Sequence, residues 1–224
     1  MISINQNKRF GQFFEKKSEP REIKFIVLHH VQANSADEAI LLFKENQVSS
    51  HFLIDEEGEI FGLVDEKDIA WHAGVSFWRG VDGLNKNSVG IEFINSAPFE
   101  KKFSKQQLES GLKLCHQLID KYKIEPFNIV GHSDIAYDRA TGLLDRKQDP
   151  SHLFDWRFFT LNGVGVFPKF SLDILNHFKL GERDEKIAQA KLNLKIFGYR
   201  VINLNDEFDL ELQALIEVFK RRFG

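Results

Sequence analysis

Residues 22–30 read EIKFIVLHH, and the fold can be built outward from this segment. Its apolar residues occupy consecutive positions and are β-branched in part, so neither face of a strand formed here is suited to water. Such a run is typical of a central strand that is buried on both faces. The segment ends on His29 and His30, which must point to opposite faces because successive side chains alternate along a strand.

Helical and strand-like segments alternate after this strand. Two helix starts carry a serine three residues before a Glu or Gln, the capping-box pattern, at Ser35 with Glu38 and at Ser104 with Gln107. Three segments are strand-like, namely 51–64 as a hairpin, 88–95, and 128–132 ending on His132. The stretch 71–87 has no clear period and is interpreted as a loop. This alternation predicts an α/β domain.

The chain divides into three predicted units. Residues 1–20 form a polar N-terminal arm, residues 21–168 form the α/β domain, and residues 181–224 form a small helical unit. In the last unit, an apolar stripe over 184–197 followed by Gly198 predicts a helix with its C-terminal cap, and a second apolar helix follows. Two short helices bury little surface by themselves, so we expect them to pack on the α/β domain.

Composition excludes several classes of function. The chain of 224 residues has a formal net charge of −3, which gives no basic face for nucleic acid. Its apolar runs are far shorter than the roughly 20 residues of a membrane span. The first residues lack the apolar core of an export signal, which favours the cytoplasm and leaves the cell envelope as the alternative. Nothing in the sequence sets an oligomeric state.

Residue types that bind zinc occur at the ends of predicted strands and in the segment that follows. Zinc enzymes hold the metal with three side chains drawn from His, Asp, Glu or Cys and leave one position open. The candidates are His29 or His30, His132 and Asp149. With eight histidines in the chain, this spacing by itself leaves a structural role for each of them open.

Six strings occur in one order between residues 22 and 156, namely IVLHH, SSHFLID, AWHAG, VGIEFIN, GHSDIA and RKQDPSHLFDW. Together they resemble the type 2 family of N-acetylmuramoyl-L-alanine amidases, which is related to the peptidoglycan recognition proteins. The resemblance implies a central mixed β-sheet flanked by helices. It also implies hydrolysis of the amide between N-acetylmuramic acid, in its ordinary or 1,6-anhydro form, and L-alanine, in peptidoglycan or a muropeptide. The alternative is a non-catalytic peptidoglycan-binding module of the same fold.

The resemblance also implies roles for individual residues. The zinc ligands would be His29, His132 and Asp149. The catalytic residues would be Glu92, as the acid–base group, and Lys147, which stabilises the oxyanion. The substrate-binding residues would be Trp71, His72, Trp78 and Arg79. All three ligand positions are filled, which favours an enzyme over a binding module.

The sequence departs from the family pattern in three places. The interval before Asp149 is long, with residues 137–146 as the insertion, and we expect this segment beside the site. Gly83 stands where relatives carry an arginine near the peptide stem, and Arg79 is the candidate substitute. Residues 181–224 resemble the first two helices of a three-helix peptidoglycan-binding repeat and lack the third. A plain helical hairpin that braces the catalytic domain is the alternative.

Overall fold

The computed structural model describes residues 2–7, 12–144 and 146–224. Within these ranges, strands β1 to β9 span Phe14–Glu15, Phe25–Val31, Phe52–Ile54, Ile60–Gly62, Ile69–Ala70, Phe77–Trp78, Val81–Asp82, Ser88–Ile94 and Ile129–Gly131. Helices α1 to α6 span Ala36–Glu45, Lys105–Tyr122, His132–Ile135, Trp156–Leu161, Glu185–Phe197 and Leu210–Phe223. Residues 1 and 8–11 of the predicted arm, and Asp145 of the predicted insertion, lie outside the described residues.

The main sheet has five strands in the order β4-β3-β8-β2-β9. Strands β3, β8, β2 and β9 run parallel, and β4 pairs with β3 as an antiparallel edge. Parallel strands that follow one another along the chain need a crossover connection, which α1 supplies between β2 and β3 and α2 supplies between β8 and β9. The predicted mixed sheet flanked by helices is therefore confirmed, with β2 as an interior strand.

Helix α2 begins where its capping serine predicts. The Ser104 Oγ accepts a hydrogen bond from the backbone N–H of Gln107 at 3.1 Å. The second half of a capping box is not formed, because the buried Gln107 amide instead donates to the carbonyls of Ile54 and Ile94. A polar side chain at this position thus satisfies carbonyl groups at the ends of two sheet strands.

The two faces of β2 pack into different cores. Ile26 and Leu28 lie in the core beneath α2, whereas Phe25 and Val27 lie in the core shared with α5 and α6. All four side chains are almost fully buried, as the apolar run predicts. His29 has the parity of Val27, so it lies on the face of the sheet that the C-terminal helices cover.

Helices α5 and α6 pack on the sheet. Their apolar side chains share one core with Val27 and Val130, and Leu194 and Leu212 are fully buried there. Each Leu buried in this way contributes about 1.5–3 kcal/mol. Within the unit, the buried Lys191 ammonium donates to the side chains of Asn205 and Asp209, each at 2.6 Å. The expected docking is present, and the identity of the unit as part of a peptidoglycan-binding repeat stays a prediction.

Two local predictions were wrong. The stretch 71–87, predicted as a loop, contains the hairpin β6-β7 and a 3₁₀ turn at Leu84–Asn87. The strand predicted to end on His132 ends one residue earlier, and His132 begins the short helix α3. No helix within the described ranges has the length and apolar content needed to cross a membrane.

Candidate metal centre

The register of three parallel strands brings the predicted site residues together. His29 on β2 lies beside Glu92 on β8. Leu28 lies beside Gly131 at the end of β9, so the residues that follow, His29 and His132, are neighbours across the strands. Adjacent strands are about 4.8 Å apart, and side chains at matching positions share one face. The carboxyl ends of these strands therefore hold the acid–base candidate and two ligand candidates side by side.

Three donor atoms converge at these strand ends. The Nδ1 atoms of His29 and His132 are 3.1 Å apart, and each lies 3.0 Å from the Asp149 Oδ2. Asp149 reaches them from the loop after α3, with its backbone carbonyl accepting the Ser133 N–H at 2.9 Å. The two histidines are buried, and the Asp149 side chain is 12% exposed. The structure thus assembles the predicted triad as a group able to hold a metal ion.

The spacing and chemistry of this triad fit zinc. A tetrahedral ion with bonds of about 2.0–2.1 Å separates its ligand atoms by roughly 3.4 Å, and the three observed separations are only a few tenths of an ångström shorter. Burial, then the His132 charge, lowers the pKa of His29 to about 4, so its ring is neutral at pH 7. Burial opposes ionisation of Asp149, but His132 and His29 outweigh it and hold the Asp149 pKa well below its usual range. A neutral imidazole and a carboxylate are the forms that bind metal.

The directions of three hydrogen bonds determine which ring nitrogen of His29 carries a lone pair. The Leu84 carbonyl can only accept, so the Ser88 hydroxyl donates to it at 2.7 Å. Ser88 Oγ then accepts from the His72 Nε2–H at 3.1 Å. Burial and neighbouring charges hold the pKa of His72 well below its ordinary value, so its Nδ1 carries a lone pair that accepts the His29 Nε2–H at 3.0 Å. The His29 Nδ1 therefore presents its lone pair to the other two donor atoms.

His132 is oriented in the same way by a backbone carbonyl. Its Nε2 lies 3.1 Å from the Ala73 oxygen, which can only accept, so Nε2 carries a proton, and in the neutral ring Nδ1 is the nitrogen left to bind a metal ion. The same oxygen accepts from Arg146 at 3.3 Å. Arg146 also donates to the Tyr137 carbonyl, so the predicted insertion lies beside the site as expected.

Glu92 and Lys147 are two further ionisable groups beside the triad. Glu92 is 8% exposed, and its Oε2 is buried without a hydrogen-bond partner among the described residues. Burial first, and then the negative charge of Asp149, raises the Glu92 pKa well above its ordinary value, while the Lys147 charge opposes this rise. Lys147 is exposed, and its charge acts on both Glu92 and His29. A carboxyl group in this setting suits proton transfer.

His30 takes no part in the triad, which agrees with the choice of His29 that the family resemblance implies. Its ring lies edge-on to Phe99, with centroids 5.4 Å apart. Among the predicted substrate-binding residues, Trp71 is 43% exposed and its ring is available to a ligand.

The prediction that His72 touches substrate is not supported. His72 is buried, and its two ring nitrogens contact His29 and Ser88, so it lies behind the candidate ligand His29. The signal for this role is Gly90 in the string VGIEFIN. A Cβ at Gly90 would lie 2.5 Å from the His72 ring, so only glycine leaves room for that ring.

The structure does not support the prediction that Trp78 stacks on substrate. Trp78 is fully buried, its Nε1–H donates to the Phe127 carbonyl at 2.8 Å, and its ring packs against Phe197 and Tyr199. Arg79 is exposed, but its guanidinium lies over the Phe127 ring. The partners of Trp78 and Arg79 are therefore Phe127 before β9 and residues of the C-terminal helical unit, and none of them is a triad residue.

Sequence reasoning missed the supports behind the ligands. Ser88 and the Ala73 carbonyl were not identified, nor was Asn85, whose side-chain oxygen accepts the backbone N–H groups of His72 and Ala73. These residues carry no metal-ligand chemistry, so nothing in their type singles them out. Their hydrogen bonds hold the backbone at His72 and Ala73 and the rings of His72 and His132 in place.

Comparison with known proteins agrees with this geometry. A family model described as N-acetylmuramoyl-L-alanine amidase matches residues 19–152. The N-acetylmuramoyl-L-alanine amidase AmiD of Escherichia coli (strain K12) is 34% identical over 245 residues, which cover 90% of this chain and 84% of AmiD. The 1,6-anhydro-N-acetylmuramyl-L-alanine amidase AmpD of Haemophilus influenzae is 32% identical over 163 residues, covering 64% of this chain and 84% of AmpD.

A solved structure has the same fold over most of its length. It is the complex of E. coli AmiD with the substrate anhydro-N-acetylmuramic acid-L-Ala-D-γ-Glu-L-Lys. That structure superimposes with a TM-score of 0.64 at 28% identity, covering 92% of this chain and 91% of the other. The family model spans β2, β8 and β9 and all three converging donor residues. This chain belongs to the N-acetylmuramoyl-L-alanine amidase family.

Proposed function

We propose that this enzyme binds one zinc ion through His29, His132 and Asp149 and hydrolyses the amide between the lactyl group of N-acetylmuramic acid and L-alanine. The observation that carries the proposal is the convergence of two imidazole nitrogens and one carboxylate oxygen within 3.0–3.1 Å of one another. Three such atoms repel each other unless a metal ion or a shared proton lies between them. The other nitrogen of each ring is held by a partner, so neither ring can turn away without losing a hydrogen bond.

Zinc, when bound, would supply Lewis acidity toward a carbonyl oxygen and toward water. The remaining chemistry belongs to the protein. Glu92 takes a proton from the water whose oxygen attacks the lactyl carbonyl carbon, and its raised pKa makes it a base that holds this proton. The Lys147 ammonium stabilises the negative charge that develops on the carbonyl oxygen. Glu92 then gives the proton to the departing nitrogen, the C–N bond breaks, and L-alanine leaves as an amine.

The substrate is a peptidoglycan fragment or peptidoglycan itself. E. coli AmiD was solved with an anhydro-N-acetylmuramyl peptide, and AmpD is a 1,6-anhydro-N-acetylmuramyl-L-alanine amidase. We infer that anhydro-muropeptides are substrates of this chain too. Turnover of anhydro-muropeptide compared with release of peptide from intact sacculi decides between a soluble and a polymeric substrate.

The test pairs two neighbouring histidines. His29→Gln removes a predicted ligand. His30→Gln alters the next residue of the same strand, which hydrogen-bonds the Pro150 backbone, a bond that the glutamine amide can keep. We expect the wild-type protein and His30→Gln each to hold one zinc per chain after reconstitution and to release L-alanine-linked peptide from muropeptides. His29→Gln is expected to lose both properties. A zinc-free wild-type protein, or full turnover in His29→Gln, would refute the proposal.

The second candidate, a non-catalytic peptidoglycan-binding module, makes a different prediction. Such a protein would retain muropeptide in a binding assay and release no peptide, with or without zinc. The complete triad beside a buried carboxyl group favours the enzyme.

A further inference from the structure

A second buried carboxylate lies next to the triad. Asp134 is fully buried in α3, two residues after His132. It accepts three hydrogen bonds, from the Gly131 backbone N–H at 2.7 Å, the Tyr199 hydroxyl at 3.0 Å and the Arg222 Nη1 at 2.6 Å. Two of these three donors come from the C-terminal helical unit, residues 181–224. A buried charge needs such partners, so this unit supplies what Asp134 requires.

Arg222 makes further contacts beside the one with Asp134. It is 6% exposed, and its Nη2 donates to the Ile129 carbonyl at 2.9 Å. Its guanidinium lies over the ring of Trp156, 4.3 Å from the centroid. One side chain from α6 therefore joins the first residue of β9 to α3 and packs on α4.

Helix α3 carries one predicted ligand and holds another. His132 is its first residue, and the next residue, Ser133, donates its N–H to the Asp149 carbonyl at 2.9 Å. A Cβ at Gly131 would lie 2.9 Å from Pro150, so the strand end and the Asp149 loop are packed without spare room. A displacement of α3 must therefore move both His132 and Asp149.

We infer that the C-terminal unit is a positioning element of the metal centre, acting through Tyr199 and Arg222 on Asp134. The inference rests on the proposed zinc site and deepens it, because it assigns the geometry of two ligands to residues from a different unit of the chain. The unit is then a part of the catalytic centre's support as well as of the core. This differs from a separate module whose only task is to hold peptidoglycan.

The experiment compares two buried cations of the same unit in the full-length protein. Arg222→Met removes the guanidinium that binds Asp134. Lys191→Met removes an equally buried ammonium whose partners, Asn205 and Asp209, both lie within the C-terminal unit. The control therefore reproduces the loss of a buried ion pair without touching α3. Zinc affinity is measured by chelator competition at a temperature where each variant is folded, and Co²⁺ substitution reports ligand geometry through its visible spectrum.

We expect Arg222→Met to weaken zinc binding by about tenfold, the low end of the range for residues behind metal ligands, and to change the Co²⁺ spectrum. Lys191→Met is expected to keep the wild-type zinc affinity and spectrum even if it unfolds more easily. Tyr199→Phe removes one of three hydrogen bonds and no charge, so we expect a smaller loss, on the order of threefold. If Arg222→Met does not fold, Tyr199→Phe decides.

Wild-type zinc affinity in folded Arg222→Met, or in Tyr199→Phe if that variant decides, would overturn the inference. An equal loss in Lys191→Met would also overturn it, because the effect would then follow from general destabilisation of the unit. Failure of the wild-type protein to bind zinc would instead refute the proposed function.

Discussion

Replacing Glu92 by glutamine should inactivate the enzyme and make the metal-free protein more stable. Glu92 is 8% exposed, and its Oε2 has no hydrogen-bond partner among the described residues. An ionised carboxylate at this position lies near Asp149, whose charge raises the Glu92 pKa further, although the Lys147 charge opposes this rise. Glutamine has the same shape and no charge, so it removes this repulsion together with the proton-transfer group.

Both effects have an expected size. General acid–base groups typically contribute about 10² to 10⁴ in rate, so turnover should fall by that factor while zinc stays bound. Glutamine leaves a polar atom at the same place but removes the charge. The desolvation cost of a buried charged group exceeds the roughly 1–3 kcal/mol of a neutral one, so the free energy of unfolding should rise by about 1 kcal/mol or more at pH 8. For a domain of this size, each kcal/mol corresponds to about 2–4 °C in melting temperature.

The stability gain should depend on pH. Because the Glu92 pKa is raised in the folded protein, the wild type keeps its full stability below the unfolded pKa of about 4.3 and loses stability as the pH rises through the folded pKa. Glutamine does not titrate, so the difference between Glu92→Gln and wild type should be near zero at about pH 4 and reach its full value above the folded pKa. Urea unfolding in the presence of a chelator measures it, since a bound cation would favour the ionised carboxylate.

Glu211 provides a matched control, for which we expect the free energy of unfolding to change in the opposite direction. It is also 8% exposed, but its two carboxylate oxygens accept the backbone N–H groups of Ile202 and Asn203 at 2.6 and 3.0 Å. Glu211→Gln places an NH₂ group against one of these donors, so we expect it to lower the free energy of unfolding. A wild type more stable than Glu92→Gln at pH 8, or a difference independent of pH, would refute the reasoning about Glu92. Near-normal turnover in the variant would show that the base lies elsewhere.

Three further predictions concern residues around the triad. His72→Leu leaves the His29 Nε2–H without its acceptor, so zinc affinity measured by chelator competition should fall about 10- to 100-fold; unchanged affinity would contradict the hydrogen-bond direction assigned here. Lys147→Met should keep zinc and lower kcat about 10²-fold or more, as loss of an oxyanion donor does, and steady-state kinetics with an unchanged kcat would exclude that role. Trp78→Phe should lower the melting temperature and leave KM for muropeptide unchanged, whereas a raised KM would indicate that Trp78 contacts the substrate.

Local patterns in the sequence were sufficient for most of the fold. Strand β2 follows from an apolar run with no polar face, and helices α1 and α2 follow from their capping serines. These features depend on residues within one or two turns of each other, and a linear sequence displays them directly.

The donor set was also accessible from the sequence, through residue type and order. His29, His132 and Asp149 are the residue types that bind zinc, and their strings resemble those of a known family. Strand alternation further separated His29 from His30, because that rule is local.

Tertiary structure alone decided what stands behind these donors. Trp78 resembled a loop aromatic in the sequence and is fully buried, because residues of α5 and of the segment after it cover it. The role of His72 as a hydrogen-bond acceptor for His29 depends on β8, because Ser88 and Gly90 of that strand contact its ring.

The link between Asp134 and Arg222 spans 88 residues of chain and is made by a 2.6 Å contact. Hydrogen bonds weaken steeply beyond about 3.2 Å, so whether two such residues interact depends on the full packing of the helices on the sheet. A sequence carries the residue types, but distances of this kind exist only after the chain has folded.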